Sequence, residues 1–167
     1  MAVAAYKEDW IVCNSCFCEN SYLICPPSTC CFSDLQVCLC MGGDCAFPNH
    51  ENVPLICTCL PCCTIYPKVA CCTTPRQLEV ENIDKLGRKA DFMVCDGNCL
   101  FCCASNNYCF SPYTCCADEG SQFLCCGSDC AIPCSDTIPF AFALYGIMCV
   151  PQFGCCVRTG QAFDMAK

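Results

Sequence analysis

Short apolar runs separated by polar clusters dominate the chain and predict a mainly β protein. The runs WIVC, YLIC, QVCLC, FMVC and QFLCC are each bounded by Gly, Asn, Pro or Asp, which is typical of strands. The clusters SNNY, ADEGS, MGGD and GSD are interpreted as turns, because Gly and Asn tolerate positive φ and Asp bonds its own backbone.

One longer apolar run, Phe140–Val150, predicts a short buried helix. Pro139 would occupy the first helical position, with Asp136 or Thr137 as the cap. In the corresponding earlier stretch Pro61 would interrupt the helix. The fold class predicted is therefore mainly β with short helices.

The same apolar run supplies candidates for an interface. Residues 138–150 are too few to cross a bilayer as a helix, which takes about 20 residues. The candidate interface side chains are Phe140, Phe142, Leu144, Tyr145, Ile147 and Met148.

The chain carries one sequence pattern twice. DCAFPNHENVP at 44–54 and DCAIPCSDTIP at 129–139 share a phrase at a shift of 85 residues. Further matches in the same order are KEDWIVC with KADFMVC, PSTCC with PYTCC, and PKVACC with PQFGCC. A conserved order at a nearly constant shift indicates a duplication.

The duplication divides the chain into four segments. We predict cysteine-rich repeat 1 over 6–73, a charged spacer over 74–87, cysteine-rich repeat 2 over 88–158 and a C-terminal tail over 159–167. The cysteine-free run 73–94 holds eight of the 24 charged residues. We interpret it as a solvated linker, with a recognition element as the alternative.

The repeated phrase is interpreted as a structural corner. Pro48 and Pro133 would each end a strand, and a polar turn would lead to the next proline. Asp44 and Asp129 would belong to this corner rather than to a catalytic site.

Cysteine is the most unusual component, with 29 residues among 167, far above the level of ordinary domains. Sixteen cysteines recur in register between the copies and are candidates for disulfides or metal binding. They are Cys13, Cys16, Cys30, Cys31, Cys40, Cys45, Cys71, Cys72, Cys95, Cys99, Cys115, Cys116, Cys125, Cys130, Cys155 and Cys156.

Other cysteines have no cysteine counterpart. At a shift of 85, Cys57, Cys59, Cys62 and Cys63 fall opposite Phe142, Leu144, Ile147 and Met148. This exchange predicts core positions, where a free thiol acts as a small hydrophobe.

Three interpretations of the recurring cysteines stay open: disulfides, reduced core thiols, and ligands of zinc or an iron–sulfur cluster. Neighbours in a strand point to opposite faces, so the many adjacent Cys pairs favour disulfides, each worth about 2–4 kcal/mol. Cys13-x-x-Cys16 has metal-ligand spacing, but Cys95-x-x-x-Cys99 is one residue longer. We therefore predict no cofactor, with zinc or iron–sulfur as the alternative.

The net charge and the lack of catalytic motifs reduce the number of candidate function classes. The net charge is −8 with only eight Lys and Arg, so nucleic-acid binding, which needs clustered cations, is excluded. The single histidine, His50, has Ser135 at its counterpart position and is interpreted as solvated. No nucleophile, phosphate-binding or metalloprotease motif is present, and we predict a protein that is not an enzyme.

Two long stretches carry a resemblance. QVCLCMGGDCAFPNHENVPLICTCLPCCTIYPKVACC and QFLCCGSDCAIPCSDTIPFAFALYGIMCVPQFGCC resemble a family of cysteine-rich tandem-repeat proteins of dinoflagellate algae that has no established activity. Asn49-His50-Glu51 departs from the acidic pair more usual in that family. The resemblance implies an algal source. In a photosynthetic alga, an acidic protein without enzyme motifs is expected to be an accessory subunit on a thylakoid complex in the chloroplast.

The expected function is structural. We predict an accessory or scaffold subunit that binds protein partners in a larger assembly and associates with a membrane without a transmembrane helix. The alternative is a thiolate metal-binding or redox-sensing protein. The first residues lack a secretory signal, so the expected location is the chloroplast for a mature form of the chain and otherwise the cytoplasm.

Overall fold

The computed structural model describes residues 5–27, 29–100, 102–133, 138 and 140–163, and in them the protein is mainly β, as predicted. The strands are β1 (Ile11–Phe17), β2 (Glu19–Leu23), β3 (Cys31–Cys38), β4 (Met41–Phe47), β5 (Cys57–Leu60), β6 (Cys63–Tyr66), β7 (Ala70–Cys71), β8 (Met93–Cys99), β9 (Ala104–Cys109), β10 (Cys116–Phe123), β11 (Cys126–Ile132), β12 (Ala141–Leu144), β13 (Ile147–Val150) and β14 (Gly154–Cys155). Two short helices, α1 (Pro75–Leu78) and α2 (Thr159–Ala162), and 3-10 turns at Ala5–Lys7, Ile83–Lys85 and Gly87–Asp91 complete the fold. Among these described helices none has the length and apolar character needed to cross a bilayer.

Eleven strands form one antiparallel sheet in the order β14-β13-β12-β1-β2-β11-β10-β3-β4-β9-β8, and β5-β6-β7 form a second sheet. At the centre, β3 pairs with β10 so that Cys31 lies opposite Phe123 and Cys38 lies opposite Cys116. These positions are related by the repeat shift of 85 residues. An approximate two-fold axis therefore passes between β3 and β10.

The two repeats exchange strands across this axis. Strands β1 and β2 of the first repeat pair with β12 and β11 of the second, while β9 of the second repeat pairs with β4 of the first. We name residues 30–110 the contiguous half, and residues 5–27 together with 115–163 the composite half. Each half thus contains strands from both repeats. The predicted repeat boundaries concern the sequence only and do not coincide with the two structural halves.

The charged spacer packs on the sheet. Pro75 begins α1, and the Thr74 side chain accepts a hydrogen bond from the backbone N–H of Gln77, a capping arrangement that favours this helix start. Leu78 and Leu86 are 2% and 3% exposed and belong to the larger core cluster. The expectation of a solvated linker is wrong for these residues, because a spacer with alternating charged and apolar positions can cover a sheet face.

The predicted helix over Phe140–Val150 is wrong. The run forms the hairpin of β12 and β13, with Tyr145 and Gly146 at positive φ in its turn. Ala141 and Ala143 are buried while Phe142 and Leu144 are exposed, and this alternation of small and large residues has the period of a strand. The capping residues assigned to the helix, 136, 137 and 139, lie outside the described residues.

The clusters interpreted as turns are also strands in the structure. SNNY lies in β9, MGGD in β4, ADEGS in β10 and GSD in β11. Some of their polar side chains, Asp44, Asn106 and Asp129, are buried, and Asn106 in β9 donates hydrogen bonds to Asp44 and to the carbonyl of Pro54. A buried partner replaces the local backbone contacts that make Asn and Asp turn formers elsewhere.

The hairpins also correct the alignment of the repeats. Leu60 pairs with Cys63 as Leu144 pairs with Ile147, so the shift is 84 residues from Leu60 onward. Cys57 pairs with Tyr66 as Phe142 pairs with Val150, so Cys57 keeps the shift of 85. Cys59 is exposed and Cys63 is half-buried. The prediction of core positions for Cys57, Cys59, Cys62 and Cys63 is therefore wrong, because none of the four is buried and Phe142, the counterpart of Cys57, is itself exposed.

The strand ends predicted within the repeated phrase are confirmed. Strand β4 ends at Phe47 and β11 ends at Ile132, directly before Pro48 and Pro133. The polar turn of the second copy, 134–137, lies outside the described residues.

Candidate functional site: an exposed thiol–apolar face

A buried ionic network fixes the composite half. Asp129 in β11 accepts hydrogen bonds from Lys7 Nζ at 2.7 Å, Asn20 Nδ2 at 2.7 Å and Tyr22 Oη at 2.9 Å. The side chains of Lys7 and Asp129 are 1% and 0% exposed. The donors come from the first repeat and the carboxylate from the second.

The contiguous half contains the same network with the repeats interchanged. Asp44 in β4 accepts hydrogen bonds from Lys89 Nζ at 3.0 Å, Asn106 Nδ2 at 2.9 Å and Tyr108 Oη at 3.0 Å. Lys89 Nζ also bonds the carboxylate of Asp34 at 2.8 Å. The two aspartates of the repeated phrase are thus buried anchors between the repeats.

Electrostatics favours the charged form of Lys89 and the protonated form of the two tyrosines. Burial lowers the pKa of Lys89, but Asp44 and Asp34 outweigh it and the pKa is raised above its usual value. Burial and then the neighbouring aspartate raise the pKa of Tyr22 and of Tyr108 well above the usual range, so both phenols remain donors. Each carboxylate is satisfied and closed to solvent, and the interpretation of Asp44 and Asp129 as corner residues is corrected to one of buried ion pairing.

The opposite face of the large sheet carries two rows of thiol and apolar side chains, of which nine are exposed and Cys109 is half-buried. Directly paired residues of neighbouring strands share a face. The first row is Leu23, Cys126, Phe123, Cys31 and Phe47, and the second is Ile132, Cys116, Cys38, Met41 and Cys109. We name these ten residues the thiol–apolar face.

This face is unusual because its large apolar residues are open to solvent. Phe123 is 62% exposed, Ile132 69% and Met41 58%. The approximate two-fold axis relates the rows, which lie near opposite ends of β3 and β10. Polar residues such as Gln36 and Asp118 pair between them. Clusters of large exposed apolar side chains of this kind mark interaction sites in soluble proteins.

Two depressions open on this side of the sheet. One, of about 310 Å³, is lined by Cys31, Cys45, Phe47, Leu100 and Cys103 among others. The other, of about 490 Å³, is lined by residues that include Cys16, Cys130, Phe142 and Leu144. They extend the thiol–apolar face towards both edges of the sheet.

The predicted interface residues divide between two faces. Phe142 and Leu144 are 48% and 58% exposed and line the larger depression, and Tyr145 in the turn is 87% exposed. Phe140 and Ile147 are also exposed, at 40% and 48%, whereas Met148 is 0% exposed in the core with Trp10. Met148 is therefore outside any surface formed by the other five.

The sixteen recurring cysteines lie at the surface. Twelve of them are exposed, and Cys13, Cys30, Cys95 and Cys99 are half-buried. All sixteen have free thiols, so stapling by disulfides stays a prediction. In the described part of the chain no group of three or more Cys, His, Asp or Glu side chains is arranged to hold a metal ion, and zinc or iron–sulfur binding also stays a prediction.

Two thiol pairs stand out by their distances. Sγ of Cys95 lies 2.6 Å from Sγ of Cys109, and Sγ of Cys63 lies 2.7 Å from Sγ of Cys71. Repeat comparison missed Cys63 and Cys109, because their structural counterparts are Ile147 and Leu23. Only pairing between strands, which the repeat pattern does not encode, identifies them.

His50 is more enclosed than its sequence context predicts. Its ring packs on Phe32 with the centroids 4.1 Å apart, and Nδ1 accepts a hydrogen bond from the backbone N–H of Asn52. Burial lowers the pKa of His50 below 6.5. The interpretation as a solvated turn residue is corrected to partial burial beneath the 3-10 turn that carries Tyr6.

Comparison of the chain with known protein families, with curated proteins and with solved structures gives no match.

Proposed function

We propose that this chain is a non-enzymatic interaction protein, an accessory or scaffold subunit that binds a protein partner through the thiol–apolar face. The observation that carries the proposal is the exposure of Leu23, Phe47, Phe123, Ile132 and Met41, each between 41% and 69% exposed on one side of one sheet. Covering these side chains removes apolar area from water, which favours association by roughly 25 cal/mol per Å².

The area supports a specific interface. The six strands that carry the rows, about 4.8 Å apart, extend over about 29 Å, and the eight residues from Cys31 to Cys38 extend over about 23 Å. The flat projection is therefore about 670 Å², and the corrugated accessible area is larger. A standard interface buries about 800 Å² on each partner.

Charge favours a different chain over a second copy as the partner. The net charge is −8, so two copies would repel each other at moderate ionic strength. Acidic side chains also lie beside the rows, with Glu19 next to Cys130 and Asp118 next to Gln36. The expected partner has an apolar surface rimmed by Lys or Arg.

The resemblance to the dinoflagellate family leads us to propose a photosynthetic membrane complex as the assembly. In this proposal the chain lies in the chloroplast and reaches the membrane through its protein partner. Fractionation of algal thylakoids should recover it with a membrane complex, and its recovery only in the soluble fraction would contradict this assignment.

The test compares face variants with a matched exposed control. The double variant Phe123→Glu/Ile132→Glu places one charge in each row, and Val69→Glu changes a residue that is 81% exposed outside both rows. Each tagged protein is purified from the native membranes under mild detergent and analysed by native gel and quantitative mass spectrometry. We expect wild type and Val69→Glu in the same stoichiometric complex, and at least a tenfold loss of the complex for the double variant.

Three outcomes contradict the proposal. Retention of the complex by the double variant would move the interface elsewhere. A wild-type dimer in light scattering that the double variant abolishes would make a second copy the occupant. Binding of the purified protein to vesicles of the membrane's lipids, lost in the double variant, would make lipid the occupant.

The alternative of a thiolate metal-binding or redox-sensing protein stays a prediction. Elemental analysis of natively purified protein tests its metal-binding form. Stoichiometric zinc or iron would support that form, and metal below about a tenth of stoichiometry would remove it.

A further inference from the structure

The close pair Cys95 and Cys109 joins β8 to its neighbour β9. The strands register Val94 with Tyr108 and then Asp96 with Asn107, so Cys95 is the extra residue of a bulge. The bulge brings its sulfur to 2.6 Å from that of Cys109. Optimal non-bonded separations between heavy atoms are about 3.5–4.0 Å, and a disulfide closes the sulfurs to about 2.05 Å.

The second pair, Cys63 and Cys71, lies directly opposite across β6 and β7. Their sulfurs are 2.7 Å apart. Cys71 is exposed and Cys63, Cys95 and Cys109 are half-buried, so a small solute can reach both pairs. Neither pair needs a rearrangement of strands to bond.

Both pairs lie in the contiguous half, and the composite half has a single cysteine at each corresponding place. Cys13 corresponds to Cys95, but Leu23 occupies the position that Cys109 has in the contiguous half. Cys155 corresponds to Cys71, but Ile147 faces it across β13 and β14. Cys13 and Cys155 therefore serve as control thiols in the same molecule, because each has an equivalent backbone position but no cysteine at the partner position on the neighbouring strand.

We propose that Cys95–Cys109 and Cys63–Cys71 are specific sites of reversible disulfide formation with a low-molecular-weight disulfide such as oxidised glutathione. One protein thiolate attacks the oxidant and releases one reduced thiol, leaving a mixed disulfide. The second protein thiolate attacks the protein sulfur of that mixed disulfide and releases the second reduced thiol. Two protein thiols are oxidised and one oxidant molecule is reduced to two thiols for each bond formed.

The thiol environment determines the pH dependence of the reaction. Burial and the neighbouring Cys109 raise the pKa of Cys95 to about 12, and the hydrogen bond with Cys71 raises the pKa of Cys63 to about 11. Because the thiolate is the nucleophile, oxidation should be slow near neutral pH. Its rate should therefore increase from pH 7 to pH 9.

The experiment uses the reduced full-length chain and oxidised glutathione. Samples taken over time are alkylated with N-ethylmaleimide, measured by intact mass and mapped by digestion without reduction. Besides the disulfide of Cys18, we expect four thiols to be protected first in wild type, two in each close pair. Cys109→Ser and Cys71→Ser should each protect two, and Cys13→Ser and Cys155→Ser should still protect four.

A gain of pairing provides a second measurement. Leu23→Cys places a thiol opposite the strand that carries Cys13, on the backbone equivalent to that of Cys109. We expect this variant to protect six thiols, with a new 13–23 linkage.

The proposal is overturned if folded wild type leaves Cys95 and Cys109 alkylated while other cysteines pair. It is also overturned if Cys109→Ser and Cys71→Ser protect as many thiols as wild type. Circular dichroism of each reduced variant establishes that the compared samples are folded.

Discussion

The contiguous half and the composite half have one backbone plan but different thiol chemistry. In both, a lysine, an asparagine and a tyrosine from one repeat surround an aspartate from the other. The backbone N–H of Cys62 donates to the carbonyl of Cys95 at 2.7 Å, and that of Gly146 donates to the carbonyl of Cys13 at 2.7 Å. The close cross-strand thiol pairs Cys95–Cys109 and Cys63–Cys71, in contrast, lie in the contiguous half.

This difference distinguishes the residues that both halves require for folding from the positions that can differ between the halves. The buried network needs all of its members, because a charge left alone in the interior is costly. Exposed or half-buried positions such as Leu23 and Ile147 can exchange with cysteine without disturbing the pairing of the strands. We therefore expect stability to depend on the networks in both halves and thiol reactivity to differ between them.

The largest effect should come from removing a buried lysine. Lys89→Met leaves Asp44 and Asp34 without their cation, and loss of one partner of a buried ion pair costs about 3–5 kcal/mol. Urea unfolding of the reduced protein, followed by circular dichroism, measures the change in the free energy of unfolding.

Lys7→Met is the matched change in the composite half. Lys7 bonds one carboxylate, that of Asp129, whereas Lys89 bonds two, so the loss of stability should be smaller for Lys7→Met. Equal losses, or a loss below about 1 kcal/mol for Lys89→Met, would contradict the ranking, since exposed pairs contribute about that much.

The next effect is the stabilisation gained on oxidation. The Cys95–Cys109 disulfide would close a loop of about 15 residues, for which chain entropy gives about 3 kcal/mol. The free energy of unfolding of the oxidised protein should exceed that of the reduced protein by this order in wild type. Cys109→Ser should lower the gain, whereas Cys13→Ser should leave it unchanged; the same gain in both variants would contradict the assignment.

Smaller losses are expected from two corresponding glycines. A Cβ at residue 127 would lie 2.9 Å from Cζ3 of Trp10, and one at residue 42 would lie 2.8 Å from Cε1 of Phe110. Overpacking costs about 1–3 kcal/mol, so Gly127→Ala and Gly42→Ala should both destabilise the fold.

Gly127→Ala should lose more, because Trp10 is buried and Phe110 is half-buried and can move. Thermal and urea unfolding of both variants rank the two halves. A larger loss for Gly42→Ala would show that the backbone around β3 and β4 is the less adaptable one.

The smallest effect is a pH dependence assigned to His50. Because burial lowers its pKa in the folded state below the usual 6.5, the unfolded chain binds the proton more readily. The stability that this histidine contributes is full above pH 6.5 and is lost as the pH falls through the folded pKa.

The difference in unfolding free energy between wild type and His50→Gln should therefore decrease from pH 7 to pH 5. Measuring the difference cancels the carboxylates that titrate in both proteins. A difference that is constant over this interval would mean that His50 is as solvated when folded as when unfolded.

The strand-rich class and the corner at Pro48 and Pro133 followed from local sequence. Short apolar runs and prolines act through the backbone within a few residues, so their signal is readable without the fold. The run Phe140–Val150 was misinterpreted because its length and flanking prolines suited a helix, while the alternation of Ala141 and Ala143 with larger residues indicated strands.

The networks and the thiol pairs depend on long-range pairing. Lys7, Asp129 and their counterparts recur in both copies, and that recurrence was the available signal for a buried role. It did not identify partners, because each aspartate meets donors from the other repeat. Cys63 and Cys109 gave no repeat signal at all, since their counterparts are not cysteine.

Because the repeats exchange strands, each repeat depends on the other to neutralise its buried aspartate. A single repeat has the aspartate but, by itself, lacks a lysine in the right place to neutralise it, because Asp44 meets Lys89 and Asp129 meets Lys7. Two separate copies related by the central two-fold axis would each supply the lysine that neutralises the aspartate of the other copy. The chain thus has the geometry of an arm-exchanged homodimer whose two subunits are joined by the segment 74–87, and a single chain of this geometry can carry different cysteines in its two halves.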